Sequence, residues 1–287
     1  MNSKGTVLRK RFHDYLILRN LTESTQNAYI RNIARLAAHY HRSPDLLTNE
    51  QIQAFLVHLT EDCGLGYSSC NIAFGAMRCF YQGCLQWDQR RFHLPARRTH
   101  KQRPEVLSIQ EVQRLLGSVR NLKHRTMLLT VYGSGLRVSE VVKLKPTDIL
   151  SDRMQIRVEQ GKGRKDRYTK LTPRELTELR AYFRPYRPQE PWMFCGKIPN
   201  QHITIGSTQR IYTRACDRAG ITHGHGIHTL RHSFATHMLE AGLDLDSLRR
   251  WLGHSSLQTT SVYLHVTNNR GSAVKCPTEE LNLPALS

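Results

Sequence analysis

His228-Thr229-Leu230-Arg231-His232-Ser233-Phe234-Ala235-Thr236-His237 is the stretch on which the reading of this chain turns. His228 and Arg231, three residues apart, share one face of a helix. Apolar positions continue the helical spacing and Gly242 marks its end, so a helix is expected from about Thr229 to Ala241. The glycine-rich His223-Gly224-His225-Gly226 ahead of it frees the backbone for a close approach. Just downstream, Leu252-Gly253-His254 closes a second expected helix from about Asp244, and Leu257-Gln258-Thr259-Thr260-Ser261-Val262-Tyr263-Leu264 follows. Far upstream, Gly133-Ser134-Gly135-Leu136-Arg137-Val138-Ser139-Glu140 turns sharply and delivers Arg137 near a helix N-terminus, a position that favours anions.

Taken singly, these residues have plain structural readings. Tyr263 reads as a core or surface tyrosine, and His254 as a cation capping a helix C-terminus. Together they match one chemistry. A phosphodiester resists attack because its oxygens are negative and its leaving alkoxide is poor. Breaking it takes cations around the non-bridging oxygens, a nucleophile in line and an acid for the leaving oxygen. Arginine suits the first task because its planar fork bonds two phosphate oxygens at once. A phenol, with a reference pKa of about 10, becomes a nucleophile once cations or a base activate it. Five histidines crowd His223–His237, and His228 and His232 have the spacing of a helical metal pair. No cysteine or upstream glutamate completes a zinc pattern, so no metal and no other cofactor is expected.

The bulk properties agree with a polyanionic partner. The 287 residues carry 42 Lys and Arg against 23 Asp and Glu, a formal charge of +19 that would repel itself without nucleic acid nearby. Composition is globular, with 39% hydrophobic and 23% charged residues. The seven cysteines (Cys63, Cys70, Cys79, Cys84, Cys195, Cys216 and Cys276) are odd in number and form no C-x-x-C pair, which fits reduced thiols rather than a disulfide framework. The start of the chain lacks a signal-peptide run, and no stretch of about 18 apolar residues occurs, so a soluble cytoplasmic protein is expected.

Helical texture fills the first hundred residues. Tyr29, Ile33, Leu36, Ala37 and Tyr40 share a face behind Thr22 or Ser24 as N-cap. Thr48 and Gln51 form a capping box ahead of Ile52, Phe55, Leu56 and Leu59, and a third segment from about Ser68 carries Ile72, Ala76, Cys79 and Phe80. Between Asp88 and Arg103 the periodicity vanishes, and Arg90, Arg91, Arg97, Arg98, Lys101 and Arg103 stand against one acid. This reads as a basic linker suited to lie along phosphates. Beyond Pro104, Ser108 and Glu111 cap a helix with Val112, Leu115 and Leu116 inward, and Thr126 to Tyr132 reads as a core helix. Met154, Ile156 and Val158 alternate as a strand, Gly161-Lys162-Gly163 turns it, and Arg167 to Leu171 returns as its partner. Thr172-Pro173-Arg174-Glu175 is a strong helix start.

With these pieces in order, the chain resembles the tyrosine recombinase (phage integrase) family, of the compact Xer and integron-integrase type, over about residues 10 to 267. The resemblance rests on Gly135-Leu136-Arg137-Val138-Ser139-Glu140, Gly161-Lys162-Gly163-Arg164-Lys165-Asp166-Arg167, His228 through His237, and Leu252-Gly253-His254 through Tyr263. It implies a mainly α fold with a small antiparallel sheet. Residues 1–90 would form a helical, SAM-like core-binding domain, 91–103 a basic linker, 104–267 a mixed α/β catalytic domain and 268–287 a tail. It implies an enzyme that cleaves and rejoins duplex DNA through a 3′-phosphotyrosyl link without metal or ATP, acting as a tetramer in the DNA synapse and a monomer when free. In that reading Arg137, Arg231 and His254 hold the phosphate, His228 is the general base, Tyr263 is the nucleophile, and Glu140 orients its neighbours. Lys162 protonates the leaving 5′ oxygen, with Lys165 close enough to compete. The insertion typical of integron integrases is absent, and the tail, ending in Leu281, Leu283, Pro284 and Leu286, suits a short hook better than a long helix. Two other readings share the residues: a type IB topoisomerase working alone, and a DNA-binding protein that has lost catalysis.

Overall fold

The computed structural model describes residues 7–87, 92–93, 104–159, 166–188 and 191–265. The basic run of Arg90, Arg91, Arg97, Arg98, Lys101 and Arg103, the two lysines Lys162 and Lys165, and the tail from 268 lie outside the described residues. The chain divides into two compact units, Met1–His100 and Lys101–Ser287.

The first unit is a helical bundle of α1 (Val7–Leu18), α2 (Glu23–Tyr40), α3 (Asn49–Glu61) and α4 (Tyr67–Arg78). Thr22 caps α2, and Thr48 with Gln51 closes a complete capping box on α3, whose Ile52, Phe55, Leu56 and Leu59 are all buried. The inward face of α4 differs from the sequence expectation: Ile72 is exposed, and Cys70, Ala73, Ala76 and Met77 take the core. After Arg78 the helix widens into a π turn, Cys79–Cys84. Phe80, Tyr81 and Cys84 continue the inward stripe of α4 through this turn, and Cys79 is half-buried. The sequence reading lacked α1, a strongly charged segment that inserts Phe12 and Leu16 into this core.

The second unit carries α5 (Ile109–Gly117), α6 (Leu122–Ser134), the short α7 (Val138–Val141), and strands β1 (Ile149–Leu150), β2 (Gln155–Val158) and β3 (Arg167–Lys170). Helices α8 (Pro173–Tyr186), α9 (Ile205–Ala219), α10 (His228–Glu240), α11 (Leu245–Leu252) and α12 (Leu257–Ser261) follow, and a 3₁₀ turn, Val262–His265, ends the described chain. The sheet is antiparallel in the order β1-β2-β3, with Ile149 opposite Ile156 and Val158 opposite Arg167. Both β1, only two residues long, and α9 went unpredicted. Among the described residues, no helix is long and apolar enough to cross a membrane.

Two apolar clusters meet at α10. The larger gathers residues from Leu107 to Leu230, and the smaller holds Phe234, Ala235, Leu239, Leu248, Leu252 and Tyr263. A helix packed on both sides has little solvent face, so Thr229, Leu230, Arg231, Ser233, Phe234, Ala235 and Thr236 are all buried. Arg231 is therefore carried into the interior by its helix.

Gly135 ends α6 in the left-handed region (φ 63°). A Cβ there would lie 2.4 Å from Cδ1 of Phe234, so the turn that leads to Arg137 packs directly on α10. Gly135→Ala combines backbone strain with overpacking, and we expect it to cost about 2–4 kcal/mol. The check is chemical denaturation of the variant against the wild type.

Candidate active site

Arg137 is the N-cap of α7, with extended backbone (φ −72°, ψ 153°). Its amide donates to Oε2 of Glu140 at 2.7 Å, and its Nη1 donates to Oε1 at 2.7 Å. Arg167, at the first position of β3, donates through Nη1 and Nη2 to the same carboxylate at 2.8 and 2.7 Å. Arg231 comes within 3.8 Å of it. One carboxylate thus sits among three guanidiniums. Burial alone would raise the Glu140 pKa. The hydrogen bonds and charge of Arg167, joined by those of Arg137, outweigh burial and pull it to about 2.

The same arginines share a second anchor. Nε of Arg167 donates to the carbonyl of Trp251 at 2.8 Å, Nη2 of Arg231 to that of Leu252 at 2.7 Å, and Nη2 of Arg137 to that of Gly253 at 3.2 Å. These are three successive carbonyls at the C-terminal end of α11, where helical acceptors lack partners and the helix dipole is negative. Gly253 is the left-handed cap of that helix (φ 63°), and a Cβ on it would lie 2.6 Å from Cδ of Arg167. Arg231 also donates through Nη1 to the carbonyl of Gly135 at 2.7 Å. Burial and the charge of Arg137 lower its pKa to about 9, so it remains a cation at neutral pH.

His254 follows that cap. Its Nε2 lies 3.1 Å from Nη2 of Arg231 and its Nδ1 3.0 Å from Oγ1 of Thr260. A guanidinium only donates, so Nε2 accepts and the ring proton resides on Nδ1. Tyr263, in the final 3₁₀ turn, is 4% exposed, and its ring stacks over that of His254 with centroids 6.4 Å apart. Burial raises the Tyr263 pKa, and the charges of Arg231 and Arg137 act against that rise. Its hydroxyl stands 2.9 Å from Nδ1 of His232. Burial, with the nearby His228 and Arg231, lowers the His232 pKa to about 4, which keeps that imidazole neutral and able to accept the phenolic proton.

The structure therefore gathers Arg137, Glu140, Arg231, His254 and Tyr263 into one site. His228 stands at the solvent-facing start of α10, where partial burial and the charges of Arg231 and Arg137 lower its pKa. Among the described residues, the hydrogen bond to an imidazole from the Tyr263 hydroxyl goes to His232, not His228. Two residues without an expected catalytic role, Arg167 and His232, join the cluster. Arg167 shares the buried side of β3 with Thr169, and a charge at an inward strand position needs a buried partner. His232 is one turn from His228 and adjacent to Arg231, and in the sequence it read only as half of a metal pair. Among the described residues, no group of three or more His, Cys, Asp or Glu side chains is placed to hold a metal ion.

Comparison with known proteins finds relatives over most of the chain. Residues 105–270 match the phage integrase family, and residues 8–91 match its N-terminal SAM-like domain. The chain is 42% identical over 281 residues to the Sinorhizobium fredii protein y4qK, provisionally named an integrase/recombinase, covering 98% of this chain and 91% of that one. It is 32% identical over 274 residues to the tyrosine recombinase XerA of Thermococcus kodakarensis, covering 93% of each. In fold it resembles the XerH site-specific recombinase in its pre-cleavage complex with difH substrate, with a TM-score of 0.66 and 22% identity over 85% of this chain and 76% of that one. The chain belongs to the phage integrase family. Within it, the protein is a site-specific recombinase of the tyrosine type.

The depressed Glu140 pKa makes an acid-stability prediction. Its folded value of about 2 lies below the unfolded value, so the stabilisation is present above about pH 4.5 and is lost as pH falls towards 2. We expect the wild type to lose about 3 kcal/mol across that window on this account. Glu140→Gln should lack this component and be destabilised by about 3–5 kcal/mol at neutral pH, because it leaves buried guanidiniums without their anion. Urea titrations of both proteins at pH 7, 4.5 and 3 check both statements.

Proposed function

We propose that this recombinase cleaves and rejoins duplex DNA through a 3′-phosphotyrosyl intermediate formed on Tyr263, with no metal or nucleotide consumed. The observation that carries this reading is the position of the Tyr263 phenol, buried where the charges of Arg231 and Arg137 favour its ionised form while a neutral imidazole meets its hydroxyl. A phosphate placed against Arg137 and Arg231 would meet guanidiniums whose spacing is already set by Glu140 and the end of α11. His254, beside Arg231, adds a third hydrogen bond once the phosphate replaces their mutual one and Nε2 carries a proton to donate. Such preorganised cations stabilise the charge that develops on the non-bridging oxygens during attack.

In this reading Tyr263 attacks phosphorus, the bond to the 5′ oxygen breaks, and Lys162 supplies the proton that leaves with it. Lys165 is the competing donor. A neutral imidazole of α10 takes the phenolic proton, and His228 completes the set beside the two arginines. The phosphotyrosyl bond keeps the energy of the original diester, so rejoining needs no other source. Each unit would bind duplex DNA, Arg90, Arg91, Arg97, Arg98, Lys101 and Arg103 would contact its phosphates, and two sites would pair in a tetramer of otherwise monomeric protein. Support for DNA as the partner comes from the +19 charge and from the DNA-bound state of the XerH relative.

The test uses a nicked suicide duplex chosen by the protein from a random-sequence pool. Tyr263→Phe should bind this duplex as the wild type does and form no covalent adduct on denaturing gels. An undiminished adduct would move the nucleophile elsewhere. Replacing the scissile 5′ oxygen with sulfur, a leaving group that needs no acid, should restore cleavage to Lys162→Ala. Restoration of Lys165→Ala alone would assign the acid to Lys165.

A further inference from the structure

We propose that His232 is the base that takes the proton of Tyr263 during strand cleavage. The inference rests on Tyr263 being the nucleophile and deepens that reading by naming the residue that activates it. Nδ1 of His232 stands 2.9 Å from the Tyr263 hydroxyl, within the range required for direct proton transfer. Their rings lie 5.7 Å apart and are tilted at 46°, so they are not stacked. His228 sits a full turn earlier on α10, facing solvent, with no described hydrogen bond to the phenol.

Burial explains why the contact serves as a base and not as an ion pair. His232 is held neutral by its surroundings, first by burial and then by His228 and Arg231, so its Nδ1 lone pair is free for the phenolic proton. That environment changes when substrate binds. A phosphodiester seated against Arg231 offsets the positive charge that suppresses protonation of His232, so the base strengthens when the electrophile arrives. In the unbound enzyme the phenol stays protonated, because burial raises its pKa.

The step balances. The O–H bond of Tyr263 breaks and its proton moves to Nδ1 of His232, while the phenolic oxygen forms a bond to phosphorus. The phosphorus–O5′ bond breaks, and O5′ takes a proton from the acid assigned to Lys162. Rejoining runs the same transfers backwards, with His232 returning the proton to the tyrosine and the acid regaining its own.

The test measures covalent adduct formation on the suicide duplex. His232→Asn keeps an acceptor oxygen near the phenol without a basic nitrogen, and we expect cleavage about 10²- to 10⁴-fold slower with unchanged duplex binding. His232→Ala should be equally slow and should recover at least about tenfold in added imidazole, while Tyr263→Phe should stay inactive. Cleavage by His232→Asn within twofold of wild type overturns the proposal. Loss without imidazole recovery also overturns it, because His232 then only holds the ring. Recovery of His228→Ala but not His232→Ala returns the base to His228. An adduct that persists in Tyr263→Phe overturns the nucleophile assignment instead, so the two failures are separable. If His232→Ala melts early or binds duplex weakly, His232→Asn alone decides.

Discussion

The second unit is organised around a packing conflict: three buried or part-buried guanidiniums stand close together without driving each other apart. Glu140 meets the charge, bridging Arg137 and Arg167 and lying near Arg231. The carbonyl end of α11 fixes the spacing, with one acceptor for each arginine. Neither device would suffice alone. A lone carboxylate would leave the forks free to swing, and carbonyls alone would leave the positive charges uncompensated in a low-dielectric site. With both in place the cluster keeps an excess of positive charge that a phosphate can neutralise. In the proposed reaction it would meet a phosphate with little reorganisation, which is the condition for strong electrostatic catalysis.

The rest of the fold serves this arrangement. Burying α10 between two apolar clusters carries Arg231 inward, and the left-handed turn at Gly135 swings the chain from the end of α6 to the start of α7. The smaller cluster contains Tyr263 itself, so the tyrosine is seated by the same apolar contacts that hold α10 against α11. Attack on a phosphate would require the ring to keep that seat while the phenol trades its proton, a smaller change than carrying a tyrosine in from solvent.

Much of this was legible in the sequence where local chemistry decides the outcome. The capping boxes at Thr48, Ser108 and Thr172 start helices because side chain and backbone satisfy each other within four residues. The β2–β3 pair followed from alternation, and the site motifs from the chemistry a phosphodiester demands. What failed was masked or non-local. Helices α1 and α9 keep helical spacing at their inward residues, Phe12 and Leu16 in one and Thr208, Tyr212, Ala215 and Cys216 in the other, but many polar neighbours mask it. Ile72 pairs with Ala76 by spacing, but within the regular turns of α4 the inward stripe runs through Cys70, Ala73, Ala76 and Met77 and leaves Ile72 outside it. Arg167 and His232 acquire meaning only from partners distant in sequence, Glu140 and Tyr263. A charged residue sharing the inward side of β3 with Thr169 was the one sequence signal that could have marked Arg167.

The seating of the arginines on α11 also has a temporal side. Arg137, Arg167 and Arg231 all precede in the chain the carbonyls of Trp251, Leu252 and Gly253 that space them, and Tyr263 comes later still. A chain still emerging from the ribosome, or one cut short before α11, holds the cations but neither their seat nor the phenol. The spacing of the three guanidiniums is therefore completed only when α11 joins the fold.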